Sequence, residues 1–411
     1  MRETKGSAWE VIYHNSSYMA KMMRTISLIK IEAKRILNTR LFLSFLAIVV
    51  LFSAYSVHSV LRRYEIPRKA GAVITWRENL AHAKANSQEK DIDREILERM
   101  RQYEGEFVYI DETNLEELVM ANYEVRSVQE LTDEDTSNFY ARRLENIRTM
   151  LEESSQIQYT QEEISRFMQR AAQISGISSG YAEGWKALHD GMESYTALLL
   201  ILIAVLLLPL FGVDAKSDMS ELYRSAEYGK RPLDHARILT AFCIGTLLYI
   251  IGLFLFFVIR MAPFGLEGWN QGIQSSQRTF FSLYNITNMQ QFFWNAAVGF
   301  VALLFVISLV ILITVVMDQM MTSAVIFIFF WILLLLFDQM YLWPVNHYFA
   351  NFMPLRMTSF SHYYVGNEIY RICGVSLSGM AWCCLLAGLL AGMLLTAAIL
   401  WERIKRKRGV Y

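Results

Sequence analysis

Six stretches of this chain run for about 20 residues with almost no charge, each long enough for a helix to cross a bilayer core of roughly 30 Å. They cover residues 41–61, 195–213, 238–261, 293–317, 322–343 and 378–401. One such run could equally be a buried helix of a water-soluble protein, but six in a chain of 411 residues leave that alternative little room. Inside hydrocarbon the backbone has to satisfy its own polar groups, which a helix does within one segment. The expected fold class is therefore all-α, a polytopic membrane protein with six transmembrane helices.

Lys and Arg near the ends of these runs set the expected orientation. Lys30, Lys34, Arg35 and Arg40 precede the first run, and Arg403, Lys405, Arg406, Lys407 and Arg408 follow the last. Both termini are thus expected in the cytoplasm, as an even number of crossings requires. The first run is too long for a cleaved signal peptide, follows a long basic segment and lacks a small-residue cleavage site. The chain then divides into a tail with an interfacial helix (1–40), helix one (41–61), an extracytoplasmic domain (62–194) and helix two (195–213). A cytoplasmic loop (214–237), helices three to six (238–401) and a basic tail (402–411) complete it.

Within residues 18–40, Met22, Met23, Ile26, Ile29, Ala33 and Ile36 recur at three- and four-residue steps, while Lys21, Arg24, Lys30, Lys34 and Arg35 fall largely elsewhere. That pattern predicts an amphipathic helix lying at the inner leaflet, basic face toward anionic headgroups. The segment between the first two runs is acid-rich, with Glu116, Glu117, Asp133, Glu134, Asp135, Glu162 and Glu163 among its carboxylates. Two capping boxes, Thr113 with Glu116 and Thr160 with Glu163, predict helix starts. Ile92, Ile96, Leu97 and Met100 make one apolar stripe, and Leu144, Ile147, Met150 and Leu151 another. The external domain is expected to be helical, its last helix, after Gly176 and Gly180, running into the second crossing.

Catalytic signatures are missing. There is no Gly-x-x-x-x-Gly-Lys-[Ser/Thr] phosphate loop, no Gly-x-Ser-x-Gly elbow, no His-Glu-x-x-His and no Rossmann glycine cluster. The seven histidines are dispersed, and Cys243, Cys373, Cys383 and Cys384 form no CxxC pair. No enzyme activity, metal or bound cofactor is expected, and no nucleic acid among its partners. Charge placed in hydrocarbon costs several kcal/mol unless partnered. The candidates are His58, Arg260, Asp318 and Asp338, of which snorkelling explains most and Asp338 alone invites a functional role or a local partner. Phe327, Phe329, Phe330 and Trp331 either line a path for an amphiphilic cargo or pack against lipid and neighbouring helices.

Between the second and third runs lies Val213-Asp-Ala-Lys-Ser-Asp-Met-Ser-Glu-Leu-Tyr-Arg-Ser-Ala-Glu-Tyr-Gly-Lys-Arg-Pro-Leu-Asp-His-Ala-Arg237. Gly229 suits a helix end and Pro232 a helix start, so a short surface helix, a turn and a new crossing are expected. Asp214, Leu222, Ser225, Gly229-Lys230-Arg231 and Arg237 fall in an order that resembles the corresponding loop of ABC-2 type transporter permeases, with Asp in place of the family's usual Glu. Ile29-Lys-Ile-Glu-Ala-Lys-Arg-Ile-Leu37 resembles that family's basic lead into its first crossing. The resemblance implies a permease subunit in a cell membrane, expected to be the bacterial cytoplasmic one. Its expected partners are an ABC ATPase subunit that binds ATP and Mg, a second permease subunit, identical or not, and membrane lipid. Coupling to the ATPase is expected from Glu32, Glu221, Leu222, Arg224, Ser225, Gly229, Lys230 and Arg231, and a candidate translocation path from Phe327, Phe330, Trp331 and Asp338. The cargo class is open among peptides, lipids, antibiotics and other small molecules. Two alternatives are a membrane sensor or scaffold that binds through its external domain and an ion-coupled secondary transporter.

Overall fold

The computed structural model describes residue 23 and residues 25–67, 73–86, 90–105, 107, 109–154, 156–212, 230–317, 319–339, 345–372 and 374–407. Six long helices dominate: α1 (Arg40–Arg63), α2 (Glu183–Leu207), α3 (Lys230–Met261), α4 (Asn288–Met317), α5 (Met320–Gln339) and α6 (Gly379–Lys407). Each is long and apolar enough to cross a membrane. Thr39 starts α1 by accepting the Phe42 N–H at 3.2 Å, and Arg62 and Arg63 close it, where the helix dipole favours positive charge. Pro232 lies in the first turn of α3, where its missing N–H costs nothing. That helix begins at Lys230, so residues 230–237, expected in the loop, belong to it.

Helices α2 and α4 form the middle of the bundle. Leu199, Leu200 and Ile203 of α2 and Leu303, Val306, Ile307 and Val310 of α4 are all buried in one continuous cluster. Tyr249 of α3 donates to the Ala296 carbonyl at 2.9 Å, an approach that Gly299 permits, because a Cβ there would stand 2.3 Å from the tyrosine oxygen. Leu51 on α1, Phe329 on α5 and Met393 on α6 are exposed, and apolar surface of that extent suits lipid rather than water.

Helix α2 starts at Glu183 rather than near 195. Its first turns are polar in sequence yet bury Trp185, Leu188 and Met192. The Glu183 carboxylate is fully occupied, accepting from Tyr64 Oη at 2.8 Å, Asn114 Nδ2 at 2.7 Å and Lys186 Nζ at 3.0 Å. The last helix of the domain thus does run unbroken into the bundle.

The domain between α1 and α2 is helical, with elements Trp76–Asn86, Arg94–Gln102, Ile110–Tyr123, Asp133–Ser137, Phe139–Glu152 and Gln161–Ala172. Ile92, Ile96, Leu97 and Met100 are buried together as the stripe predicts. In the second stripe Ile147 and Leu151 are buried and Leu144 partly so, whereas Met150 is exposed, because the helix turns that residue outward. The Thr113 box is not used: Thr113 lies inside the helix, its Oγ1 donating back to the Tyr109 and Ile110 carbonyls. The start is one turn earlier, where the Glu112 carboxylate accepts the Tyr109 N–H at 3.4 Å.

The domain does not stand alone. Residues 262–287, between α3 and α4, insert Phe280 into one of its cores and Leu283 into another. Between α5 and α6, the short helices Pro354–Met357 and Ser361–Val365 place Met357, Tyr363 and Tyr364 in the core of the bundle. Two antiparallel hairpins amend the all-α expectation: Ile66–Pro67 with Val73–Ile74, and Ile369–Ile372 with Val375–Ser378. Domain and connections together form a cap over one end of the bundle.

Candidate functional site

At the end of the bundle opposite the cap, charged side chains are buried among the helix ends. Helix 25–37 carries Glu32, which is only 4% exposed. Its Oε1 lies 3.2 Å from Nε of Arg237, itself 2% exposed, and its Oε2 lies 3.3 Å from Nη1 of Arg35. The spacing explains the arrangement: Glu32 and Arg35 are three residues apart on one helix, and Arg237 stands two turns into α3. Asp234, one turn before Arg237, is buried as well. An ion pair out of water is held by its partners, and removing one side typically costs ~3–5 kcal/mol. Glu32 and Arg237 therefore fasten helix 25–37 to the start of α3.

A second fastening lies at the same end of the bundle. Lys405, near the end of α6, is buried and donates from Nζ to the Val315 carbonyl at 2.8 Å and the Val316 carbonyl at 3.3 Å. Those carbonyls are among the last of α4, where no helical N–H remains to bond them and the dipole favours a cation. The ends of α4 and α6 are joined by this contact.

Of the residues expected to couple to an ATPase, Glu221, Leu222, Arg224, Ser225 and Gly229 lie outside the described residues. Lys230 and Arg231 fall in the first turn of α3, and Glu32 in the buried pair. The structure brings Glu32 together with Arg237, which sequence reasoning placed in the loop but gave no partner. Asp234, Glu402 and Lys405 were missed as buried groups, although Asp234 and Arg237 at three-residue spacing after Pro232 were a readable signal of one helical face.

The proposed path residues divide. Phe327 and Trp331 are buried and meet edge to face with ring centres 6.1 Å apart, and Phe330 packs on the same cluster. Asp338 pairs with Arg356 at 2.9 Å, the local-partner role weighed for it. Beside the Asp338–Arg356 pair lies a void of about 10 Å³, room for about one water, and Phe327, Phe330 and Trp331 are not part of its wall. Arg260 does not snorkel: it is 2% exposed and donates into the bundle, to the Ala187 carbonyl and to Ser56. The larger cavities lie elsewhere, one of about 550 Å³ in the domain and one of about 410 Å³ between α1, α2 and α3. Among the described residues no group of three or more His, Cys, Asp or Glu could hold a metal ion.

What fold and site define together is a mostly helical protein whose six apolar helices suit a membrane. No family model, curated protein or solved structure matches the chain.

Proposed function

We propose that this chain is the membrane subunit of an ABC-2 type exporter, working with a second permease and with a separate ATPase that supplies the energy of ATP hydrolysis. The observation that carries the reading is the buried Glu32–Arg237 pair at the start of α3. Residues 213–229 lie immediately before that helix in the chain. A partner pressing on the segment would move α3, and through Arg237 and Glu32 the interfacial helix, as one piece. A displacement of loop residues would thus become a tilt of helices. The order Leu222, Ser225, Gly229-Lys230-Arg231 supports the family reading, and so does the lack of any phosphate loop of the chain's own.

In this mechanism Leu222 supplies apolar contact to the ATPase, Glu221 and Arg224 fix its register, and Gly229 allows the turn into α3. The chain alone should hydrolyse no ATP, and hydrolysis should accompany the full complex isolated from native membranes. Leu222→Asp places an unpaired charge at the contact, at a cost of several kcal/mol. The variant is expected to insert normally but to lose its ATPase and its ATP-dependent export. Robust hydrolysis by the isolated, contaminant-free chain, or a Leu222→Asp complex that assembles and exports at the normal rate, would sink the reading.

A further inference from the structure

The cavity of about 410 Å³ between α1, α2 and α3 combines a charged end with an aromatic flank. Arg63, Arg260, Arg278 and Asp190 form the charged end. Arg260 is almost completely buried, with Nε on the Ala187 carbonyl at 2.9 Å and Nη1 on Ser56 Oγ at 2.8 Å. Its Nη2 has no hydrogen-bond partner among the described residues. Gly191 makes room for that nitrogen, since a Cβ there would stand 2.9 Å from it. A guanidinium so buried, with one edge unbonded, is poised for an acceptor that the protein does not supply.

The charge balance says which acceptor. Asp190 and Glu193 both face Arg278, at 3.4 and 3.5 Å, so the nearby carboxylates are already engaged. Three guanidiniums against these two carboxylates leave one positive charge in surplus, carried by Arg63 and the unbonded Nη2 edge of Arg260. Guanidinium forks match the oxygens of a phosphate group. The flank says which kind of phosphate. Phe52 and Tyr55 line the same cavity along α1, the helix whose apolar window is least buried of the six. From Arg63 back to Phe52 the helix rises ~16 Å, close to the thickness of one leaflet's hydrocarbon.

We propose that this cavity binds an anionic phospholipid, its phosphate on Arg63 and the free edge of Arg260, its acyl chain along Phe52 and Tyr55. The assignment rests on α1, α2 and α3 crossing a bilayer and is independent of any ATPase.

The test uses the full-length protein in detergent, examined by native mass spectrometry with dioleoylphosphatidylglycerol, dioleoylphosphatidylcholine or inorganic phosphate. One phosphatidylglycerol should be retained roughly tenfold more tightly than phosphatidylcholine, the order of one charge-assisted contact. Arg63 is exposed, so Arg63→Ala should leave the fold intact while weakening phosphatidylglycerol binding by about the same factor. Arg62→Ala, one residue away and not part of the wall, should bind as the parent does. Equal retention of the two lipids, or equal losses in the two variants, would mean diffuse surface charge and overturn the proposal. Inorganic phosphate binding as tightly as the lipid would overturn the acyl-chain part of it.

Discussion

Glu163 shows how much a single side chain can carry. It is the third residue of its helix, where its carboxylate accepts the Thr160 N–H at 2.9 Å while Thr160 Oγ1 accepts the Glu163 N–H in return. The same carboxylate receives Arg371 through two nitrogens, Nε at 3.0 Å and Nη2 at 2.6 Å, and Ser376 Oγ at 3.0 Å. The Arg371 hydrogen bond above all, against the opposing effect of burial, brings the Glu163 carboxyl down to about 2. A carboxyl lowered in the folded state stabilises fully above its ordinary value of 4.5 and loses that contribution as pH falls through about 2. Hydrogen exchange of residues 369–378 should therefore hold steady at neutral pH, after correction for intrinsic rates, and rise between pH 4.5 and 2. Glu163→Gln should raise it at neutral pH by the equivalent of about 1 kcal/mol, since Arg371 is half exposed and partly screened by water. Thr160→Ala should loosen only the helix start; hairpin exchange unchanged in Glu163→Gln would refute the cross-connection. The cap was legible because its partners are three residues apart. Arg371 was not, because it is 208 residues away and nothing local marks it. Thr113 and Glu116 have the same spacing as Thr160 and Glu163, and spacing alone does not tell a helix start from a turn further in.

Among the elements, the connection between α3 and α4 starts with Pro263, Gly265, Gly268 and Gly272, residues that suit irregular backbone, and Gly265 and Gly268 do take positive φ. Its larger role depends on Arg143, 1% exposed on helix Phe139–Glu152, which donates from Nε to the Phe280 carbonyl at 3.0 Å and from Nη2 to the Ser282 carbonyl at 3.1 Å. Burial lowers this guanidinium to about 10, so it still carries its charge at neutral pH. An arginine in the middle of an acid-rich helical segment reads as a surface residue, and only the fold reveals two carbonyls waiting for it. Arg143→Ala leaves both carbonyls without their donor and opens a gap under Phe280, a loss of about 2–4 kcal/mol. Lysine reaches with a single ammonium instead of a fork, so Arg143→Lys should recover part of the loss. Trypsin cutting at Arg278 in membrane preparations reads the difference: fast for Arg143→Ala, intermediate for Arg143→Lys and slow for the parent. Equal rates in all three would mean that the connection holds itself in place.

For the whole molecule, the six apolar runs gave the number and order of the long helices, because a run that avoids charge for about 20 residues has few other folds open to it. Their ends were harder to read. Helix α2 starts at Glu183 because the cap buries polar turns that hydropathy alone assigns to a loop, and α3 reaches back to Lys230 past Asp234 and Arg237, both buried, the latter on Glu32. How the cap is knit together was invisible, since Arg143 and Arg371 reach 137 and 208 residues along the chain. Which side of the membrane the cap occupies follows from charge rather than from fold. Lys30, Lys34, Arg35, Arg403 and Lys405 cluster at the end opposite the domain, and basic flanks stay in the cytoplasm. The domain should therefore face outward. Glu117 and Glu153 are both exposed on it, so single cysteines placed there, in a chain with Cys243, Cys373, Cys383 and Cys384 replaced, should react with a membrane-impermeant maleimide on intact cells. A cysteine at Ser217, between α2 and α3, should react only after the cells are opened. Labelling in the reverse pattern would invert the protein and, by putting residues 213–229 outside, remove any cytoplasmic ATPase from its mechanism.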